Sequence, residues 1–359
     1  MILLLDLPQP VHGMSSVNLA VVQNAKSSGI KLSIINTVPS YAARFFNTNS
    51  WLFFKMVHSV FCFFYFLFMS LFNFKKVVYR PINGGFGQLF DMFYFIICRI
   101  FFNKIYIHHH SFNYLNNRSR FFWFLNKIAG LNSKHIVLGK KMGEKLKSIY
   151  GVSDDNIIIL SNLAFFDVSE DAVIEKDRTV KLGHLANLCF EKGVDVFIDV
   201  CNGLNELNFD FEAIIAGPFL DNKTEELVVS VVKDNVNIKY IGSVYGDDKR
   251  DFYKNIDCFI FPSKYKNEAE PLVLFEAAEQ SNFLIGSQRG CMEDVINSLG
   301  GITFPEDEDL SNNILNYIVE MHSKLIFENQ ARAKRKESFI QEIVKAKKSL
   351  LILLDEMNK

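Results

Sequence analysis

Short apolar runs alternate with helical patterns along almost the whole chain, and that alternation constrains the fold more than any other feature. Runs at 1–7, 30–36, 77–81, 105–107, 136–139 and 157–160 are separated by longer stretches with apolar residues at helical spacing. A second series follows at 179–185, 212–218, 237–244, 256–263, 283–287 and 302–305. A strand covered on both faces reads as a continuous apolar run, and a helix between two such runs makes a βαβ unit. Two such series in 359 residues predict an α/β chain of two domains. The expected bounds are 1–165 and 175–335, with 164–177 as a linker and 336–359 as a long amphipathic last helix.

The net charge of −1 conceals an asymmetry. Residues 1–150 hold 17 lysines and arginines against three acids (Asp6, Asp91 and Glu144), while the rest holds 22 against 37. The same first half carries 21 of the 36 phenylalanines. A basic, aromatic-rich half suits an anionic membrane face or a phosphorylated lipid rather than nucleic acid. The six cysteines are far apart and show no CxxC spacing, so free buried thiols in a reducing compartment are expected, with no cysteine-based metal site. The start, M-I-L-L-L-D-L-P, has no basic segment before its apolar run and does not read as a signal peptide.

Within the first half, residues 51–74 are apolar enough to be mistaken for a membrane span. The uninterrupted core from Val60 to Phe72 is short, and a strand pattern resumes at Val77. The segment therefore reads as a helix that is buried or rests on a membrane, with Lys75, Lys76 and Arg80 facing anionic headgroups. From Arg118 to Lys147, basic residues are opposed by Glu144 alone, which again suits a membrane surface. Ser15 or Ser16 is expected to cap a first helix. The glycine loop at 83–88 lacks the order of a dinucleotide fingerprint. His108, His109 and His110 follow a strand. Adjacent strand residues point to opposite faces, so only His108 and His110 can share one, and a pocket role for neutral imidazoles is favoured over a metal.

Two glutamates, Glu268 and Glu276, stand eight positions apart in N-E-A-E-P-L-V-L-F-E-A-A. The first ends a loop after an apolar strand, Pro271 suits a first helical turn, and the second lies on the helix that follows. Ligands bind at that strand edge in open α/β sheets, and ionised carboxylates accept sugar hydroxyls. Lys192 and Gly193, in A-N-L-C-F-E-K-G-V-D, open another helix at the same kind of edge, a position suited to a diphosphate.

These segments resemble the retaining glycosyltransferases of family 4, whose fold, GT-B, has two facing Rossmann-like domains with a cleft between them. E-A-E-P-L-V-L-F-E-A-A is similar to that family's E-x7-E motif, and the Lys-Gly segment about 75 residues earlier to its phosphate-binding segment. V-H-G-M-S-S-V-N resembles the first glycine loop and I-H-H-H-S-F the histidine segment of the acceptor domain. The resemblance implies that Glu276 holds the donor ribose and Glu268 the donor sugar hydroxyls. It implies that Lys192 neutralises the leaving diphosphate and that Gly13 lies against the donor. His110, with His108 second, would face the reacting sugar and the acceptor. No metal or other cofactor is implied. Asn187 stands on the donor side where the family often has arginine, and an amide cannot replace a guanidinium fork. Ala269 to Leu272 also depart from the family pattern between the glutamates.

The expected protein is therefore a metal-independent hexosyltransferase using a nucleotide diphosphate sugar. Its acceptor would be a growing glycan, carried on a polyprenyl diphosphate lipid, in cell-surface polysaccharide synthesis. Its place would be cytoplasmic, peripheral to the inner face of the membrane. Two alternatives are an epimerase-like GT-B enzyme without acceptor and an inactive, membrane-docked sugar-nucleotide-binding protein. A metal-dependent GT-A enzyme would need Asp307-Glu308-Asp309 as its acidic motif, and that cluster reads as solvated surface.

Overall fold

The computed structural model describes residues 1–9, 12–45, 48–72, 77–85, 87–167, 179–322 and 329–358. It divides into two compact units, one of residues 1–165 with 346–359 and one of residues 166–345.

The first unit runs β1 (Ile2–Leu5), α1 (Gly13–Ser27), β2 (Ser33–Asn36), α2 (Asn49–Leu71), β3 (Val77–Ile82) and α3 (Gly87–Phe101). It continues with β4 (Lys104–His109), α4 (Asn113–Asn116), α5 (Arg120–Ala129), β5 (Ser133–Val137), α6 (Lys140–Tyr150) and β6 (Ile157–Ile159). All strands are parallel, in the order β2-β1-β3-β4-β5-β6. β1 is Ile-Leu-Leu-Leu and entirely buried, as a central strand covered on both faces must be.

The second unit repeats the plan with β7 (Val180–Leu185), α7 (Val194–Glu206), β8 (Phe211–Ala216), α8 (Asn222–Asp234), β9 (Ile238–Tyr240) and α9 (Gly246–Lys254). Then come β10 (Cys258–Phe261), α10 (Leu272–Glu279), β11 (Phe283–Ser287), α11 (Met292–Ser298), β12 (Ile302–Phe304) and α12 (Leu310–His322). Its parallel sheet has the order β12-β11-β10-β7-β8-β9. The last helix, α13 (Asn329–Asn358), is longer than the pattern at 336–359 implies, and its residues from 346 on belong to the first unit. There Leu350, Leu353, Leu354 and Met357 are buried, and Tyr106 donates to Glu356 Oε1 at 2.9 Å.

Several local expectations need correction. Helix α1 starts at Gly13, so Gly13 is the first residue of the helix rather than part of an open loop. Its cap is His12, whose Nδ1 accepts from Ser15 N–H while Ser15 Oγ accepts from His12 N–H. Ser15 thus sits in a reciprocal capping box, not at the cap itself. Pro271 caps α10 with extended backbone, one residue before the first turn. The basic run after Arg118 contains a further helix, α5.

Helix α2 forms where the sequence places it, and one of its two readings, a buried helix, does not hold. Thr48 caps it, Val38, Ala42 and Trp51 cluster at its start, and the imidazole Nε2 of His58 lies 3.0 Å from Asn36 O. Only a narrow stripe is buried, through Ser59, Cys62, Phe66 and Ser70. The other face is apolar and open: Leu52, Phe61 and Phe64 are each more than 60% exposed. It is the one described helix long and apolar enough to cross a membrane by length and composition. A buried helix is therefore not what forms. Of the three cations expected to face headgroups, Lys75 and Lys76 lie outside the described residues, and Arg80 instead turns inward to a buried ion pair with Asp91.

Candidate functional site

In the second sheet, β7 leads to β8 and β9 on one side while β10 leads to β11 and β12 on the other, so the order in which strands are added reverses between β7 and β10. Such a switch point leaves a crevice at the carboxyl ends of the two central strands, and ligands bind there. Lys192 follows β7, and Glu268 follows β10. The sequence separates them by 76 positions, and the fold joins them: Lys192 Nζ lies 2.5 Å from Glu268 Oε2.

The local chain explains how. After β7 the backbone makes one 3₁₀ turn, Phe190–Lys192, and then passes through Gly193 at φ +82° into α7. A Cβ at Gly193 would stand 2.2 Å from the carbonyl oxygen of Pro262, so only glycine lets the strand exit after β10 lie against this turn. Lys264 fixes the same approach twice, through its N–H to Glu191 O at 2.8 Å and its Nζ to Asp195 Oδ2 at 2.5 Å.

Glu268 is buried, and Ser263 Oγ donates to the same Oε2 at 3.1 Å. The ammonium of Lys192 also lies 4.8 Å from the ring centre of Tyr265 and 5.9 Å from that of Phe261. Aromatic faces attract a cation without neutralising it. Lys192 is thus a preplaced positive charge, about a quarter exposed.

Glu276 projects from α10 into a second polar cluster. Its Oε1 accepts from Lys249 Nζ at 2.7 Å and its Oε2 from the Tyr253 hydroxyl at 2.9 Å. Lys249 and Tyr253 lie one turn apart on α9 and so share a face. Burial and the neighbouring carboxylate hold the Tyr253 hydroxyl protonated, its pKa far above the ordinary phenol value. Asn187 is exposed in the loop leaving β7. Tyr265, Ser263, Lys249 and Tyr253 were not singled out from sequence. Lys249 and Tyr253 have helical spacing, but nothing in the sequence says which helix they face.

In the first unit, the histidine run behaves as alternation requires. His108 and His110 share one side, with ring centres 4.1 Å apart, and Tyr79 Oη lies 2.6 Å from His108 Nδ1. His109 turns the other way, between Tyr114 Oη at 2.7 Å and His135 Nδ1 at 3.0 Å. His108 is wholly buried, so it supports its neighbour rather than lining open space. His110 keeps a buried Nε2 with no protein partner. Burial, then the nearby His12, push its pKa down to about 3, so this imidazole is neutral and able to exchange hydrogen bonds. Gly13 and both these histidines lie in the first unit, while Lys192, Glu268, Glu276 and Asn187 lie in the second. Among the described residues, no group of three His, Cys, Asp or Glu is placed to hold a metal ion.

Residues 169–334, which carry the Lys192–Glu268 pair and Glu276, match the family model for glycosyl transferases group 1. The fold is similar to that of a glycosyltransferase from Rickettsia africae ESF-5, with a TM-score of 0.73 at 16% identity over 100% of this chain and 98% of that one. HepE from Anabaena, solved in complex with UDP, gives a TM-score of 0.67 at 14% identity, with 99% of each chain covered. WaaG, a glycosyltransferase involved in lipopolysaccharide biosynthesis, gives 0.64 at 13% identity, again over 99% of each chain. The chain spans 60% of the pneumococcal O-GlcNAc transferase GtfA, at a TM-score of 0.60 and 16% identity. No curated protein matches the sequence. The two parallel six-stranded sheets with their surrounding helices and the long last helix have the GT-B fold that the sequence predicts.

Proposed function

We propose that this protein is a retaining glycosyltransferase of family 4, moving a hexose from a nucleotide diphosphate sugar to a glycan carried on a membrane lipid during cell-surface polysaccharide synthesis. The observation that carries the reading is the Lys192–Glu268 pair at the switch point of the second sheet. When the bond from the anomeric carbon to the diphosphate breaks, charge develops on the leaving oxygens. An ammonium already held at the site meets that charge, and electrostatic stabilisation of this kind is usually the largest single term in such catalysis. Lys192 then exchanges its contact with Glu268 for the diphosphate, and Glu268 is released to accept hydroxyls of the transferred sugar. Glu276, oriented by Lys249 and Tyr253, holds the ribose. The new bond forms on the face that the diphosphate leaves, so configuration is retained and the acceptor proton passes to the departing phosphate oxygen. His110 stands on the acceptor side as a neutral hydrogen-bonding group, with His108 behind it, and no step needs a metal ion.

The complexes of HepE with UDP and with UDP-glucose make uridine diphosphate sugars the first donors to test. The open apolar face of α2, in a half of the chain rich in lysine and arginine, supports work at the inner membrane surface on a lipid-borne acceptor, a polyprenyl diphosphate among them. Two substitutions test the site. Glu268→Gln and Lys192→Ala should each abolish transfer while the circular dichroism spectrum stays that of the parent. Near-normal turnover by both would overturn the assignment. Consumption of free donor by the parent protein without any acceptor would point instead to epimerase chemistry.

A further inference from the structure

The first sheet has its own switch point, between β1 and β3. A polar cavity of about 260 Å³ opens there, lined among others by Asp6 and His12 after β1, Thr37 after β2 and Lys55 on α2. A second cavity, of about 240 Å³ and apolar, lies between α2 and α3, lined by Ser59, Val60, Phe63, Phe90, Phe93 and Tyr94. Ser59, Phe90 and Tyr94 line both, so the two are adjoining compartments. Together they fall within the ~300–1,000 Å³ span of small-molecule sites.

We propose that this pair of compartments binds one lipid-phosphate acceptor, with the glycan head in the polar cavity, the phosphate at Lys55 and the apolar chain in the groove between α2 and α3. The proposal rests on the transfer reaction above and names where its acceptor sits.

The order of groups along α2 carries it. Lys55, Ser59 and Phe63 stand four residues apart, on one face and about 12 Å from first to last along the axis. Charge, junction and apolar groove thus follow one another as phosphate and chain do in such a lipid. The cavity's other cation is committed: Arg80 donates Nε to Asp91 Oδ1 at 2.8 Å, and Nη1 to Leu4 O at 3.2 Å and Thr37 Oγ1 at 2.9 Å. Lys55 makes no ion pair among the described residues and is exposed, so it can meet a phosphate. Asp6 accepts from the Thr37 hydroxyl and retains lone pairs for sugar hydroxyls. His12, which lines the cavity, is held towards its neutral form by burial, and its Nδ1 accepts from Ser15 N–H, which leaves the proton on Nε2 as a donor. A chain in the groove would also lie beside the open apolar face of α2, where Val60 is half-exposed.

Farnesyl phosphate is the probe, with farnesol as its uncharged match, and binding to the full-length protein is followed by calorimetry without donor. Each buried methylene tightens binding about fourfold, so Val60→Trp, which fills the groove, should weaken farnesyl phosphate at least tenfold. Lys55→Gln should leave farnesyl phosphate binding no tighter than farnesol. Both variants should keep the parent's thermal shift with UDP-glucose. Unchanged affinity in Val60→Trp would overturn the groove, and unchanged preference for the phosphate in Lys55→Gln would overturn its anchor. Lys192→Ala is the reverse arm: loss of the donor shift with farnesyl phosphate binding intact bears on the donor site alone. If the parent binds farnesyl phosphate no better than an unrelated soluble protein does, the acceptor site is wrong even where donor binding stands.

Discussion

Replacing Gly193 by alanine probes how the donor side is assembled. The residue adopts φ +82°, which costs an L-residue about 1–2 kcal/mol. Its new Cβ would meet the Pro262 carbonyl oxygen at 2.2 Å, and because that atom is backbone, the strand exit itself must move. Such overpacking adds about 1–3 kcal/mol, for a total of roughly 2–5 kcal/mol. For a unit of this size, 1 kcal/mol corresponds to about 2–4 °C, so the melting temperature should fall by roughly 4–20 °C. Gly242→Ala is the matched control. It sits in the same unit at φ +79° with nothing within 4 Å of the added Cβ, so it carries the backbone cost without the collision. Differential scanning calorimetry of the full chain compares the two. If Gly193→Ala melts no lower than Gly242→Ala, the close approach of the two loops is not what the site depends on. In a chain that survives the change, displacing Pro262 also shifts Glu268 relative to Lys192. A displacement near 1 Å is enough to lower turnover about 100-fold.

Tyr253→Phe should leave Glu276 with Lys249 alone, cost about 1 kcal/mol and raise the KM for donor several-fold with little change in kcat; a kcat loss alone would refute a binding role for this cluster. Arg80→Met strands the buried Asp91 carboxylate, and urea unfolding should show a loss of about 3–5 kcal/mol, whereas a neutral result would mean the pair is not buried as described. Burial lowers the pKa of His184 to about 4 and of His135 to about 4, from an ordinary 6.5. Below pH 6.5 the unfolded chain therefore takes up more protons than the folded one, so stability falls as pH drops from 6.5 towards 4, by about 1.4 kcal/mol per pH unit for each such histidine. His184→Leu should make that acid limb shallower by this amount, measured by denaturation at several pH values; an unchanged slope would count against a neutral His184. Serine at Phe53, Phe61 and Phe64 together should reduce sedimentation with anionic vesicles without lowering the melting temperature, since all three side chains are exposed. A drop in melting temperature would show that they pack after all.

Much of this fold is legible because parallel strands covered on both faces must be continuously apolar. β1 and β10 announce themselves in that way, and the order of their connecting helices follows. The histidine run was equally readable, since alternation alone separates His109 from His108 and His110. Pairing across the fold was not. Lys192 and Glu268 can be named as candidates from their own segments, but their contact arises from the neighbouring places of β7 and β10 in the sheet, which no local pattern encodes. The partners of Glu276 are hidden for the same reason, because they depend on α9 packing beside α10. His12 as a helix cap was unreadable because imidazole is an uncommon cap beside serine or aspartate. For α2, hydropathy measures affinity for an apolar medium without saying whether protein or lipid supplies it, so the buried stripe through Phe66 and the open face through Phe61 look alike in sequence.

The closing turns of α13 set the order in which the protein can be made. Residues 346–358 belong to the first unit, where they bury Leu350, Leu353 and Leu354 and bring Glu356 to Tyr106. On the ribosome those residues emerge after every strand of the second unit. The second unit can therefore close while the first still lacks its last helix, against the usual rule that N-terminal domains finish first. Until then the surface awaiting Leu350 and its neighbours stays uncovered, alongside the open face of α2. A nascent chain thus carries uncovered apolar surface for the whole time that its second unit is being made.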